Sequence, residues 1–146
     1  PLPLLTQAVM GLAALVQALI GIDCETILSE NEAWEIKDGI IDTQEEPVLS
    51  RSGYPFALAL TLAFSAKESL FKALFPQVQA WMGFDSARIT LLDDRTLTLA
   101  LTRQLAGFEE GTAFTLHWQQ HGEQVITLLS HAPADVPSRW SPQTSR

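Results

Sequence analysis

The sequence predicts an α+β fold, and three observations predict it. After Pro55 comes a run of about twenty residues, FALALTLAFSAKESLFKALFP, made of good helix formers with no Gly or Pro before Pro76. Behind it, ARITLLDD, RTLTLALT, GTAFTLHW and QVITLLS alternate or run in β-branched and apolar residues. A hydrophobic content of 47% over 146 residues is enough to bury an interior for one domain, or for two small lobes sharing a core.

In chain order, GLAALVQ (Gly11 to Gln17) and ALIGIDCE (Ala18 to Glu25) both read as short buried strands. No Gly, Asn, Asp or Pro between them can make a hairpin turn, so either this stretch is one continuous helix or a turn is missing. Leu28 to Lys37 suits a short amphipathic helix capped by Ser29, with Asn31 or Glu32 in its first turn. Thr43 opens a second helical turn as TQEE, in which Thr43 bonds the backbone and Glu46 reaches back. Ser50 to Pro55 is a loop, and the long run after it is the central helix, closed by Pro76. The four apolar segments that follow form an antiparallel meander, divided at Asp93-Asp94, at residues 107–111 and at the tight His121-Gly122 turn. Residues 133–146 are a Pro/Ser-rich polar tail, expected to be mobile.

Composition removes several function classes. A net charge of -8 argues against a protein that wraps nucleic acid, which needs clustered Lys and Arg to displace counterions from phosphates. The lone Cys24 forms no internal disulfide and no Cys/His spacing resembles a zinc site, so a reducing, cytoplasmic compartment is expected. The apolar run from Ala8 to Ile22 is shorter than the roughly 20 residues of a membrane-spanning helix and is read as core. It also lacks the basic segment of a signal peptide, since the first basic residue is Lys37. The sequence begins on Pro1 rather than Met, so a processed or internal piece is expected, or ordered segments joined end to end.

Charges inside apolar runs carry the functional signal. In a strand, GIDCE sends Asp23 and Glu25 to one side and Ile22 and Cys24 to the other. On the central helix Phe64, Glu68 and Lys72 are four apart and share a face, while Lys67 and Phe71 share the neighbouring one. If this helix packs on that strand, Glu68 joins Asp23 and Glu25. Three carboxylates at one point repel, and a hard divalent cation such as Mg²⁺ relieves them, with waters and substrate phosphate oxygens completing its shell. The two lysines would then flank a phosphate. Alone, each motif has an ordinary explanation: a solvated strand-end Asp-x-Glu, and a surface ion pair at helical spacing. Next to long apolar runs, such charges need partners.

GIDCE followed about forty residues later by FSAKESLFK resembles the paired signature of the 4′-phosphopantetheinyl transferases, G-(I/V)-D-x-E and then (W/F)-x-x-K-E-(A/S)-x-x-K. The wording FSAKESLFKALFP, with PFALALTLAF before it and TQEE earlier, is closer to the enterobactin synthase branch than to the short trimeric carrier-protein synthases. The resemblance covers roughly Gly21 to Ser130. It implies a pseudo-twofold pair of lobes, each an antiparallel sheet packed on a long helix, with the active site between them and the first lobe incomplete in this chain. Residues 1–20 would be the remnant of the first lobe, 21–132 the second lobe and 133–146 the tail. The implied activity moves the phosphopantetheine arm of coenzyme A to a serine of an apo acyl or peptidyl carrier protein, releasing adenosine 3′,5′-bisphosphate.

Carried over by motif, Asp23, Glu25 and Glu68 would hold Mg²⁺, and Glu68 would also serve as base for the serine hydroxyl. Lys67 and Lys72 would contact phosphate oxygens of coenzyme A, with Lys72 stabilising or protonating the leaving group; Phe64 would pack. A monomer is expected. The match fails upstream, where the family's S-H-x-x-G-x-A-A segment meets Gln7 and Ala8 in place of its Ser and His. The alternative is a truncated or non-catalytic lobe that binds a carrier protein or partner subunit. Elsewhere, His117, His121 and His131 are read as surface or edge residues, and Trp34, Trp81 and Trp118 as core or lobe-packing residues. Arg88 and Arg103 are read as ordinary solvated arginines. Because carrier proteins are acidic like this chain, recognition would rest on apolar contacts or a locally basic cleft edge.

Overall fold

The computed structural model describes residues 4–7, 18–78 and 81–131. Strand β1 (Leu19–Thr26) is followed by two short helices, α1 (Glu30–Ile36) and α2 (Glu45–Ser50), and then by the long helix α3 (Phe56–Val78). Strands β2 (Ala87–Leu92), β3 (Thr96–Leu101), β4 (Ala113–His121) and β5 (Gln124–His131) complete the order. They form a five-stranded sheet in the order β1-β5-β4-β3-β2, with every neighbouring pair antiparallel. This is the predicted α+β arrangement: the meander is β2 to β5, and β1 joins its far side against β5, from Leu19 opposite His131 to Thr26 opposite Gln124. The assignments for residues 11–17 and for the tail fall outside the described residues, as does Trp140.

Helix α3 crosses one face of the sheet, mainly over β1 and β5, with α1 and α2 packed beside it. Its first half is buried on every side from Ala57 to Ala63, as an apolar-all-round helix must be. The strands supply the other half of the core by alternation, with Leu97, Leu99 and Leu101 of β3 and Val125, Thr127 and Leu129 of β5 facing the helix. Hairpin chemistry closes the meander. Asp93 Oδ1 accepts from the backbone N–H groups of Arg95 and Thr96 between β2 and β3, and Gly122 takes a positive φ of 63° between β4 and β5.

Several local expectations shift. Ser29 caps α1 in a full capping box with Glu32. The second box lies one residue earlier than TQEE suggests: Asp42 Oδ1 accepts from the Glu45 N–H while Glu45 Oε1 accepts from the Asp42 N–H, leaving Glu46 to pair with Lys37. Helix α3 runs past Pro76 to Val78 rather than closing at the proline, whose fixed φ is helical although it lacks the N–H that would bond back one turn. Of the three tryptophans read as core or lobe-packing, Trp118 is buried and donates Nε1–H to the Asp93 carbonyl. Trp34 is half exposed and stacked on Phe56, and Trp81 is 73% exposed. Arg88 is held by Asp42 at 2.8 Å rather than simply solvated. Among the described residues, no helix is long and apolar enough to cross a membrane.

Candidate active site

The site begins with a missing side chain. A Cβ at Gly21 would lie 1.8 Å from the Ser69 carbonyl oxygen and 3.2 Å from the Ala73 Cβ, so only glycine lets α3 rest on β1. A dry hydroxyl cluster fixes the same contact: Thr127 Oγ1 lies 2.6 Å from Ser69 Oγ and 2.8 Å from Ser65 Oγ, and Ser69 also donates to the Thr127 carbonyl at 3.1 Å. Thr127 stands opposite Asp23 in the β1–β5 register. Two residues beyond Gly21 on the same face comes Asp23, and two further comes Glu25. The helix brings Glu68 and Lys72 to them.

Asp23 is nearly sealed, with 6% of its side chain exposed. Its Oδ1 accepts from Lys72 Nζ at 2.8 Å, and the same ammonium donates to the Ile22 carbonyl at 3.1 Å. Among the described residues, Asp23 Oδ2 is buried without a hydrogen-bond partner. Burial, the adjoining Asp23 carboxylate and the Glu68 charge push Glu25 up to about 7, against the pull of Lys72. Burial and the Asp23 charge also raise Glu68, again opposed by Lys72. Glu25 and Glu68 therefore both feel the Asp23 charge. Among the described residues, no trio of Asp, Glu, His or Cys side chains is gathered as a ready-made metal cage. The donor set is nonetheless all oxygen, with one buried carboxylate oxygen unpartnered, and such groups suit a hard divalent cation that keeps water and phosphate in its shell.

Lys67, expected beside a phosphate, does not reach this cluster. Five residues from Lys72, it projects about 140° away around the helix. There it is fully buried and Nζ contacts three acceptors, each at 2.8 Å: Glu45 Oε2, the Ile40 carbonyl and the Phe84 carbonyl. Burial lowers its pKa, and Glu45 opposes that shift. Glu45 Oε2 also accepts from the Ile89 N–H, so the pair ties α2, α3, β2 and the Phe84 turn together. Glu45 was missed as a partner; the D-x-x-E spacing from Asp42 and the unmatched lysine in an apolar run were its traces. Phe64 packs as expected, on Phe84, with ring centroids 5.3 Å apart.

Two hollows adjoin the carboxylates. One of 170 Å³ is lined by Thr6, Ile22, Asp23, Cys24 and Lys72. The other, of 300 Å³, is more apolar and runs along α3 past Glu68, Phe71, Lys72 and Phe75 to Trp81 and Phe84. A larger groove of 770 Å³ lies on the opposite face of the sheet, beside His117, Gln119 and Leu128, and includes none of Asp23, Glu25, Glu68 or Lys72.

The sequence profile of the 4′-phosphopantetheinyl transferase superfamily matches residues 19–129. Enterobactin synthase component D of Salmonella typhi is 42% identical over 120 residues, covering 82% of this chain and 51% of that protein. Its counterpart in Escherichia coli (strain K12) is 39% identical over 121 residues, covering 83% of this chain and 54% of that protein. The chain thus spans about half the length of the curated relatives it matches. With a profile match running from β1 to β5 and that degree of identity along most of its length, this chain belongs to the 4′-phosphopantetheinyl transferase superfamily.

Proposed function

We propose that this chain carries the catalytic carboxylates and lysine of an Mg²⁺-dependent transferase that moves the 4′-phosphopantetheine arm of coenzyme A to a serine of an apo acyl or peptidyl carrier protein. The observation that carries this reading is the meeting of Asp23 and Glu25 on β1 with Glu68 and Lys72 on α3. Asp23, Glu25 and Glu68 would hold the cation. Mg²⁺ bound there would neutralise charge on the pyrophosphate of coenzyme A.

The remaining steps belong to the protein's own groups. The serine oxygen attacks the phosphorus that bears the pantetheine arm, and the bond from that phosphorus to the leaving adenosine 3′,5′-bisphosphate breaks. Glu68 receives the serine proton, directly or through water, and its raised pKa brings it nearer to neutrality, where a base is effective. Lys72, half exposed and mobile enough to turn, meets the phosphate oxygens and stabilises the leaving bisphosphate. The open apolar groove beside Glu68 and Phe75 offers the arm an apolar surface on which to lie. Taken with the relatives' name, enterobactin synthase component D, the reading places the enzyme in siderophore assembly, as a cytoplasmic monomer.

Incubation of the full protein with coenzyme A, Mg²⁺ and a panel of apo carrier proteins tests this by intact mass. One carrier should gain a single phosphopantetheine arm, and Glu68→Gln should abolish the gain. A folded protein that modifies no carrier, or a Glu68→Gln variant as active as its parent, overturns the reading.

A further inference from the structure

We propose that Lys72 is the resident cation of the carboxylate cluster: in the metal-free protein its ammonium group holds Asp23, and it yields that place to a divalent cation and turns into the apolar groove. This rests on the reading of Asp23, Glu25 and Glu68 as ligands of such a cation. Asp23 is buried, and Lys72 Nζ supplies it with a positive partner at 2.8 Å. That attachment is light. Half of the Lys72 side chain is exposed, and its ammonium has one carboxylate oxygen and one backbone carbonyl as acceptors, the latter at an exposed position that water can serve.

The same side chain lines both hollows, the 170 Å³ pocket at Asp23 and the 300 Å³ groove beyond Glu68. A lysine's flexible stem can pass from one to the other without any backbone movement. Cation entry and delivery of the lysine toward the substrate side then become a single exchange. Without a cation, the Lys72 ammonium stays on Asp23.

Binding of Mn²⁺ to the full protein, without coenzyme A and followed by the resonance of free Mn²⁺, tests the exchange without reading activity. Lys72→Met should bind roughly fivefold more tightly than the parent, the gain from removing a half-exposed competing ion pair. Lys72→Arg, which keeps the charge, should bind as the parent does. Equal or weaker binding by Lys72→Met overturns the exchange but leaves the cation site standing, whereas no binding by either protein overturns both. If Lys72→Met fails to fold, the lysines of this sequence, Lys37, Lys67 and Lys72, offer a second route. Reductive methylation with ¹³C-formaldehyde keeps their charge, and Lys72→Arg identifies the Lys72 signal by its loss. Saturating Mg²⁺ should move that signal; one that stays in place overturns the proposal.

Discussion

Helix α3 carries two lysine–carboxylate pairs that look alike in a table of distances, since Lys67 to Glu45 and Lys72 to Asp23 both close at 2.8 Å. Their surroundings differ. The Lys67 side chain is 0% exposed and its ammonium is saturated by two carbonyls and a carboxylate, while the Lys72 side chain is 50% exposed and its partner keeps an unmatched oxygen. The first pair is closed to solvent and holds segments together. The second is open on one side and has acceptor capacity left over. Distance alone says nothing about which ion pair belongs to the architecture and which is available for chemistry; access and leftover valence do.

The sharpest way to break the comparison is to remove the sealed lysine. Lys67→Met should cost about 3–5 kcal/mol in urea unfolding, because Glu45 is left charged and buried. A loss of under 1 kcal/mol would mean that Glu45 finds water, contrary to the sealed geometry. Next in size is Gly21→Ala, whose methyl group meets the Ser69 carbonyl; it should cost about 2–3 kcal/mol and push β1 off α3, lowering transfer activity as well. If it leaves stability intact, the close approach of strand and helix is not what sets the site. Lys72→Met should cost only about 1 kcal/mol, a third or less of the Lys67 effect, since solvent already screens that pair. Equal costs for the two lysines would erase the distinction.

The smallest effect is a pH dependence at the open pair. Glu25 titrates near 7 in the folded protein, against an ordinary 4.5. Between those values the folded protein keeps a proton that the unfolded chain has released. Stability should therefore fall as pH rises through that window, by no more than about 1 kcal/mol after allowance for its exposure. Urea midpoints at pH 5 and pH 8 check this, and Glu25→Gln should remove the difference attributable to this residue. A stability that rises through the same window instead would contradict the crowding of carboxylates around Asp23.

Much of this was legible in the chain itself. GIDCE announces a strand with two acids on one face, and FSAKESLFK a helix with an acid and a base four apart; periodicity alone says which faces they take. What periodicity cannot show is a partner far away in sequence. Lys67 sits in the motif beside Glu68, yet it lies about 140° around the helix from Lys72, so the two side chains leave the helix on different sides. Its partner Glu45 depends on where α2 lands against β2, which is a packing outcome. Gly21 was legible as a motif glycine, but the reason for it, the Ser69 carbonyl pressed against its Cα, appears only when strand and helix are stacked.

The sheet order has a consequence for how the protein is made. Among the described residues, β1 is the first strand and finds its sheet neighbour in β5, the last, so the acids of GIDCE are synthesised long before the strand they pair with. Synthesis runs from the N-terminus, and non-local pairing of this kind is slow to form. The helix can coil and the hairpins can zip as they emerge, but the strand that carries Asp23 and Glu25 gains its sheet partner only when β5 arrives. Assembly of the carboxylate cluster thus waits for β5, and a chain cut short within β5 would retain every acidic residue of the site without the strand that pairs with two of them.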